Sequence, residues 1–245
     1  MRPILMKGHE RPLRFLKLNR EGDLLFSCAK DHTPTVWFAD NGERLGPTVD
    51  AMAPCGAGRL PKCRSDWAYK AVWGPLNKTI VSSGEDAVIR VWDTETGQLL
   101  KESDKETGHQ KTISSLSKST DGSHFLTGFL DKSAKLWDIR TLTLIKTYVT
   151  ERPLNACAIS PLLDHVFIGG GQEAVHVTTT DHCAGKFEAK FFHKILQEEN
   201  EGVKGHFGPI NALAFNPDGR SFSSGGEEGY LKLHHFDPDY FSIKM

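Results

Sequence analysis

Residues 79–95, TIVSSGEDAVIRVWDTE, decide how the whole chain reads. Short apolar runs flank Gly84-Glu85-Asp86, the pattern of two strands joined by a tight turn. Two further stretches superpose on it without gaps: LLFSCAKDHTPTVWFAD at 24–40 and HFLTGFLDKSAKLWDIR at 124–140. Each has a hydroxyl residue, an Asp four positions later and a Trp six positions after that. The triples are Ser27, Asp31, Trp37; Ser82, Asp86, Trp92; and Thr127, Asp131, Trp137. A weaker copy at 221–237, SFSSGGEEGYLKLHHFD, places Ser224, Glu228 and His234 at the same offsets. In three of the four units a Gly-His pair puts its histidine 22 residues before the acid: His9, His109 and His206.

A fifth segment at 165–181, HVFIGGGQEAVHVTTTD, keeps the apolar runs but carries Ile168, Gln172 and Thr178 at the three key positions. With Gln172 standing in, the acidic positions fall at 31, 86, 131, 172 and 228. These intervals approach the roughly 40–45 residues of one four-stranded propeller blade. The expectation is an all-β propeller with five legible blades.

The repeated polar set reads as a structural staple. Asp in a tight turn accepts from turn amides. A histidine can bridge that carboxylate to the hydroxyl, and the Trp indole N–H can finish on the same oxygen, so the buried polar atoms are satisfied. Ser, His and Asp also compose a catalytic triad, but nothing makes one copy special as a nucleophile site. Neither an enzyme nor a cofactor is expected.

Composition narrows the classes further. Thirty Lys+Arg against 31 Asp+Glu exclude a binder of nucleic acid that works by bulk positive charge. Lys and Arg are spread singly, so direct nucleic-acid binding is not expected. No apolar run approaches the roughly 18–20 residues of a membrane span, and MRPILMKGHERP is too short in apolar residues for a signal peptide. Cys28, Cys55, Cys63, Cys157 and Cys183 form neither a metal knuckle nor an even disulfide framework, which fits a reducing cytoplasm. The 11 histidines show no metal-ligand spacing. The glycines at 169–171 and 225–226 lack a following Lys-Ser/Thr pair and read as turn and packing residues. Within 185–206, Phe187, Phe191, Phe192, Ile195 and Leu196 fall at helical spacing, which predicts an amphipathic helical insertion near 185–200.

The Gly-His to Trp-Asp repeat resembles that of the WD40 family, whose blades close into a ring. MRPILMKGHERP, NREGDLLFSCAKD, WFADNGERLG, AVWGPLN, GGGQEAVHVTTTD, GKFEAKFFHKILQEE, VKGHFGPINALAFNPDG and SSGGEEGYLKLHHFDPDYF together resemble the subunit I family of eukaryotic translation initiation factor 3. The DHTPT and TTTDH wording is most similar to its plant branch. The family is seven-bladed, so this chain reads as shortened by about two blades. Residues 1–46 read as a first blade plus a ring-closing N-terminal strand, 47–70 as a non-family irregular segment, and 71–245 as four further blades. A strained five-blade ring or an open arc is expected, since blades shaped for roughly 51° per step meet at roughly 72° in a ring of five.

The resemblance implies a non-catalytic scaffold that supports preinitiation-complex assembly and mRNA recruitment to the small ribosomal subunit. Its implied partners are subunits b and g. A C-terminal helix of subunit b would meet Asp121, Leu136 and Asp138, with an Arg–carboxylate pair for direction and aromatic burial for affinity. The second reading is an adaptor of a cullin-type ubiquitin ligase or a receptor-associated signalling scaffold. The ligase reading rests on the Asp-x-Arg ending Trp137-Asp138-Ile139-Arg140.

Overall fold

The computed structural model describes residues 3–31, 35–47, 68–84, 86–104, 112–171, 187–196 and 198–242. They form five four-stranded antiparallel sheets arranged as propeller blades. Strand β1 (Ile4–Met6) comes first in the chain but belongs to the last sheet. Blade 1 holds β2 (Leu13–Leu18), β3 (Leu24–Ala29), β4 (Thr35–Phe38) and β5 (Arg44–Pro47). Blade 2 holds β6 (Ala68–Trp73), β7 (Thr79–Gly84), β8 (Ile89–Asp93) and β9 (Leu99–Glu102). Blade 3 consists of β10 (Ile113–Lys118), β11 (His124–Phe129), β12 (Ser133–Asp138) and β13 (Leu144–Val149). Blade 4 consists of β14 (Leu154–Ile159), β15 (His165–Gly170), β16 (Glu188–His193) and β17 (Glu199–Lys204). Blade 5 is β18 (Ile210–Phe215), β19 (Ser221–Gly226), β20 (Leu231–His235) and β1. A short helix, α1 (Pro238–Ser242), ends the described chain.

The N-terminal strand is the outer strand of the last blade: Ile4 pairs with Leu233 and Met6 with Leu231. All five blades bend at one shared place, and blades 1 to 4 bend at a second. The first hairpin carries a bulge at Leu13/Phe15, Ala68/Lys70, Ile113/Ser115, Leu154/Ala156 and Ile210/Ala212. A second irregularity falls at Trp37, Trp92, Trp137 and, in blade 4, Phe192. Such extra residues add local twist, which each narrow blade needs as it turns outward.

The core lies between blades. One apolar cluster joins Leu231 and Leu233 to Leu13, Leu16 and Trp37, so blade 5 packs on blade 1. Others join blade 2 to 3 through Ile89, Ile113 and Phe125, and blade 3 to 4 through Leu136, Leu154 and Val166. The seam of blades 4 and 5 is built from phenylalanines, with Phe167 4.0 Å from Phe191 and 4.4 Å from Phe215 between ring centroids. Among the described residues, no such cluster joins blade 1 to blade 2.

Three expectations change. The helical insertion near 185–200 is instead two strands, β16 and β17. Phe191 and Phe192 are both buried because a blade has a neighbour on each face, so apolar residues need not alternate and can imitate helical spacing. The third strand of blade 4 therefore starts at Glu188, after a long connection from β15, and the position assigned to Thr178 passes to Phe192. The irregular segment narrows: Pro47 still belongs to β5, β6 already begins at Ala68, and 48–67 lie outside the described residues. His109, Gln172 and Thr178 also lie outside them.

Candidate functional site

The repeat set assembles as its chemistry requires. In blade 1, Nδ1 of His9 lies 2.8 Å from Oδ2 of Asp31 and Nε2 lies 2.7 Å from Oγ of Ser27. The Trp37 indole donates to that same oxygen at 2.8 Å, and Ser27 donates to the Thr35 carbonyl at 3.3 Å. Blade 5 repeats the arrangement. His206 Nδ1 sits 2.5 Å from Glu228 Oε1 and its Nε2 2.7 Å from Ser224 Oγ, with His234 at 3.1 Å in place of tryptophan. In blades 2 and 3 the indoles of Trp92 and Trp137 donate to Ser82 and Thr127 at 2.7 and 2.9 Å. Asp86 accepts from the Val88 amide and Arg90, and Asp131 from the Ser133 amide and hydroxyl.

These are triads by geometry and staples by access. Ser27 and Thr127 are fully buried and Ser224 is 1% exposed, so no substrate reaches the hydroxyls. A nucleophile needs an open approach and an oxyanion site beside it. Burial, with the nearby His206 and Lys232 charges adding to it, pushes the His234 imidazole down to about 3. Burial alone would raise the Glu228 carboxyl, but the hydrogen bond and charge of His206 outweigh it and leave the group below its ordinary value.

Asp121 and Asp138 sit at one end of blade 3, in the turn before β11 and at the end of β12. His124 lies between them, paired in register with Asp138. Asp121 accepts from the hydroxyls of Ser119 and Ser123 and from the Ser123 amide, which hold its carboxyl well below the usual range. Asp138 accepts from the Thr141 and Arg140 amides at 2.9 and 2.8 Å; the Thr141 amide is the main cause of its lowered pKa. Both side chains are anionic at neutral pH and reachable from solvent. Each also caps a turn.

Leu136 is corrected. It is 2% exposed and packed between blades 3 and 4, so it offers no surface to a partner. Exposed apolar side chains at that end include Leu76, between β6 and β7 of blade 2, and Leu162, Ile195 and Leu196 of blade 4, each more than half exposed. The sequence pointed to Ile195 and Leu196 only as one face of a helix. They crown the turn between β16 and β17 instead.

Five blades, four of them carrying the buried polar staple, define a β-propeller of the WD40 type. The EIF3I family model matches residues 59–245. Translation initiation factor 3 subunit I of Drosophila erecta is 37% identical over 324 aligned positions, covering 98% of each chain. The same subunit of Danio rerio is 37% identical over 326 positions, covering 100% of this chain and 99% of the other. The chain belongs to the family of eukaryotic translation initiation factor 3 subunit I. An alignment of 324 positions on a chain of 245 residues spans roughly 80 positions without a counterpart here, about two blades' length at roughly 40–45 residues per blade.

Proposed function

We propose that this chain, as a subunit of translation initiation factor 3, acts in the cytoplasm as the scaffold that seats a C-terminal helix of subunit b on the Asp121–Asp138 end of blade 3 and also contacts subunit g. In doing so it supports preinitiation-complex assembly and mRNA recruitment to the small ribosomal subunit, which it meets indirectly through the complex. The observation that carries the reading is the pair of turn-held carboxylates, Asp121 and Asp138, flanking His124 at one end of the blade. Fixed carboxylates give an incoming Arg a directional partner, while Ile195, Leu196 and Leu162 offer apolar surface at the same end of blade 4.

Calorimetry with a peptide of the subunit b helix tests this, wild type beside Asp138→Lys, with a thermal melt of each sample. Binding lost in the variant with its melt intact supports the reading. Equal binding by both proteins removes it. The cullin-adaptor reading rests on Asp138-Ile139-Arg140, where the Arg140 amide is engaged in capping by Asp138. Loss of adaptor binding in Arg140→Ala would be needed to revive it.

A further inference from the structure

All five blades share one turn between their first and second strands, at the end of the molecule where His124 pairs with Asp138. Its first amide donates each time to the carbonyl of the residue that opens the second strand. The pairs are Asn19 to Leu24, Gly74 to Thr79, Ser119 to His124, Ser160 to His165 and Asn216 to Ser221, between 2.8 and 3.0 Å. The third residue of the turn is acidic in blades 1, 3 and 5: Glu21, Asp121 and Asp218. There it serves the turn itself. Asp121 accepts from the Ser123 amide, Asp218 from the Arg220 amide and Glu21 from the Asn19 side chain.

Blades 2 and 4 carry Leu76 and Leu162 at that same place, 86% and 58% exposed. Leucine accepts no hydrogen bond, so both turns give up the cap the acid supplies. Leu76 also stands at φ +56°, in the left-handed region where a leucine is strained. Its turn is held in place nonetheless, since the Thr94 hydroxyl and amide both donate to the Lys78 carbonyl, at 2.9 and 3.0 Å. Blade 3 packs on blade 2 at one face and on blade 4 at the other. The two leucines therefore stand one blade to either side of Asp121.

We propose that Leu76 and Leu162 are the two apolar ends of the surface on which the subunit b helix lies, with Asp121 between them. This rests on the subunit b reading and extends it from one blade to three. Packed sheets stand about 10 Å apart, so the leucines are separated by about 20 Å. About seven residues of helix cover each half of that span. The helix that fits has an Arg at its centre and apolar side chains seven positions before and after it, all on one face. The Arg meets the Asp121 carboxylate. The ends bury against the leucines and supply the apolar contact that Leu136, 2% exposed, cannot.

Calorimetry of the full chain with a peptide of the subunit b helix tests this in wild type, Leu76→Asn, Leu162→Ser and Asp138→Lys, each with a thermal melt. Asn tolerates the left-handed backbone better than Leu. Leu76→Asn should therefore melt no lower than wild type while its affinity falls at least fivefold. Leu162→Ser should weaken binding by a similar factor, and the double variant more than either. A leucine that served only its own turn would not lose affinity with its melt kept. Binding lost in Asp138→Lys but retained in both leucine variants overturns this proposal and leaves the subunit b reading standing. No binding by wild type removes both.

Discussion

Nε2 of His9 lies 2.7 Å from Oγ of Ser27, an oxygen with no solvent exposure that also takes the Trp37 indole N–H. One hydroxyl thus ties the loop before β2 to two strands of blade 1. Ser27→Ala would strand two buried groups, the His9 ring nitrogen and the Trp37 N–H. An unsatisfied buried polar group costs roughly 1–3 kcal/mol, so the expected loss is about 2–4 kcal/mol. In Ser82→Ala the indole of Trp92 is the partner lost, and the cost should be nearer 1–2 kcal/mol. Urea unfolding of both variants checks the order; equal losses would mean that His9 adds nothing.

Blade 5 departs from the repeat at His234, and that departure makes stability depend on pH. The imidazole is buried, stacked on Phe222 at 4.5 Å, and pushed down to about 3, whereas an unfolded histidine titrates near 6.5. Between these values the unfolded chain binds a proton that the folded chain refuses. Stability is therefore full above about pH 6.5 and is lost as pH falls toward 3. His165, also lowered by burial, acts in the same direction. His234→Phe keeps a ring on Phe222, and the buried Nδ1 that it removes has no partner. The variant should lose less stability than wild type between pH 7.5 and 5 in urea unfolding, keeping a residual slope from His165. Parallel curves would show that His234 is not the source.

Asp138 is asked to do two things, cap a turn and meet an Arg. Asp138→Asn separates them, because the amide keeps an oxygen for the Arg140 and Thr141 N–H groups but discards the charge. Stability should move by less than about 1 kcal/mol. Affinity for the subunit b helix should fall about tenfold, or about 1.4 kcal/mol. A large drop in melting temperature with unchanged affinity would assign Asp138 to the turn alone.

Blades 1, 2, 3 and 5 were legible because their hydroxyl, acidic and Trp positions fall at fixed offsets, which the β-hairpin geometry of each blade enforces. Blade 4 was half legible. Ile168 lies on the second strand, but the third strand begins only at Glu188, so the fixed offset leads to Thr178 while Phe192 holds the Trp position. A signal was present: Ala189-Lys190-Phe191-Phe192 copies Ala134-Lys135-Leu136-Trp137, and the two stretches occupy equivalent registers. Leu136 shows the deeper limit. A residue beside a Trp-Asp pair faces either solvent or the adjoining blade, and one blade's sequence does not contain its neighbour.

Ring closure yields the last prediction. Blade 1 packs on blade 5 through a cluster that includes Met6, Leu13, Leu16, Leu231 and Leu233. Met6 is 2% exposed and reaches this cluster from β1, the outer strand of blade 5. Among the described residues, this is the apolar seam that holds blade 1. Met6→Ala should cost about 2–4 kcal/mol as a buried cavity, and the loss should be local. Hydrogen exchange is expected to rise first in β3 and β4 while β11 and β12, packed on both sides, stay protected. Deleting residues 1–6 would go further, since it also bares the edge of β20 to other chains, and the shortened protein should aggregate. Uniform loss of protection in Met6→Ala would mean instead that the blades unfold as one unit and that blade 1 is held from both sides.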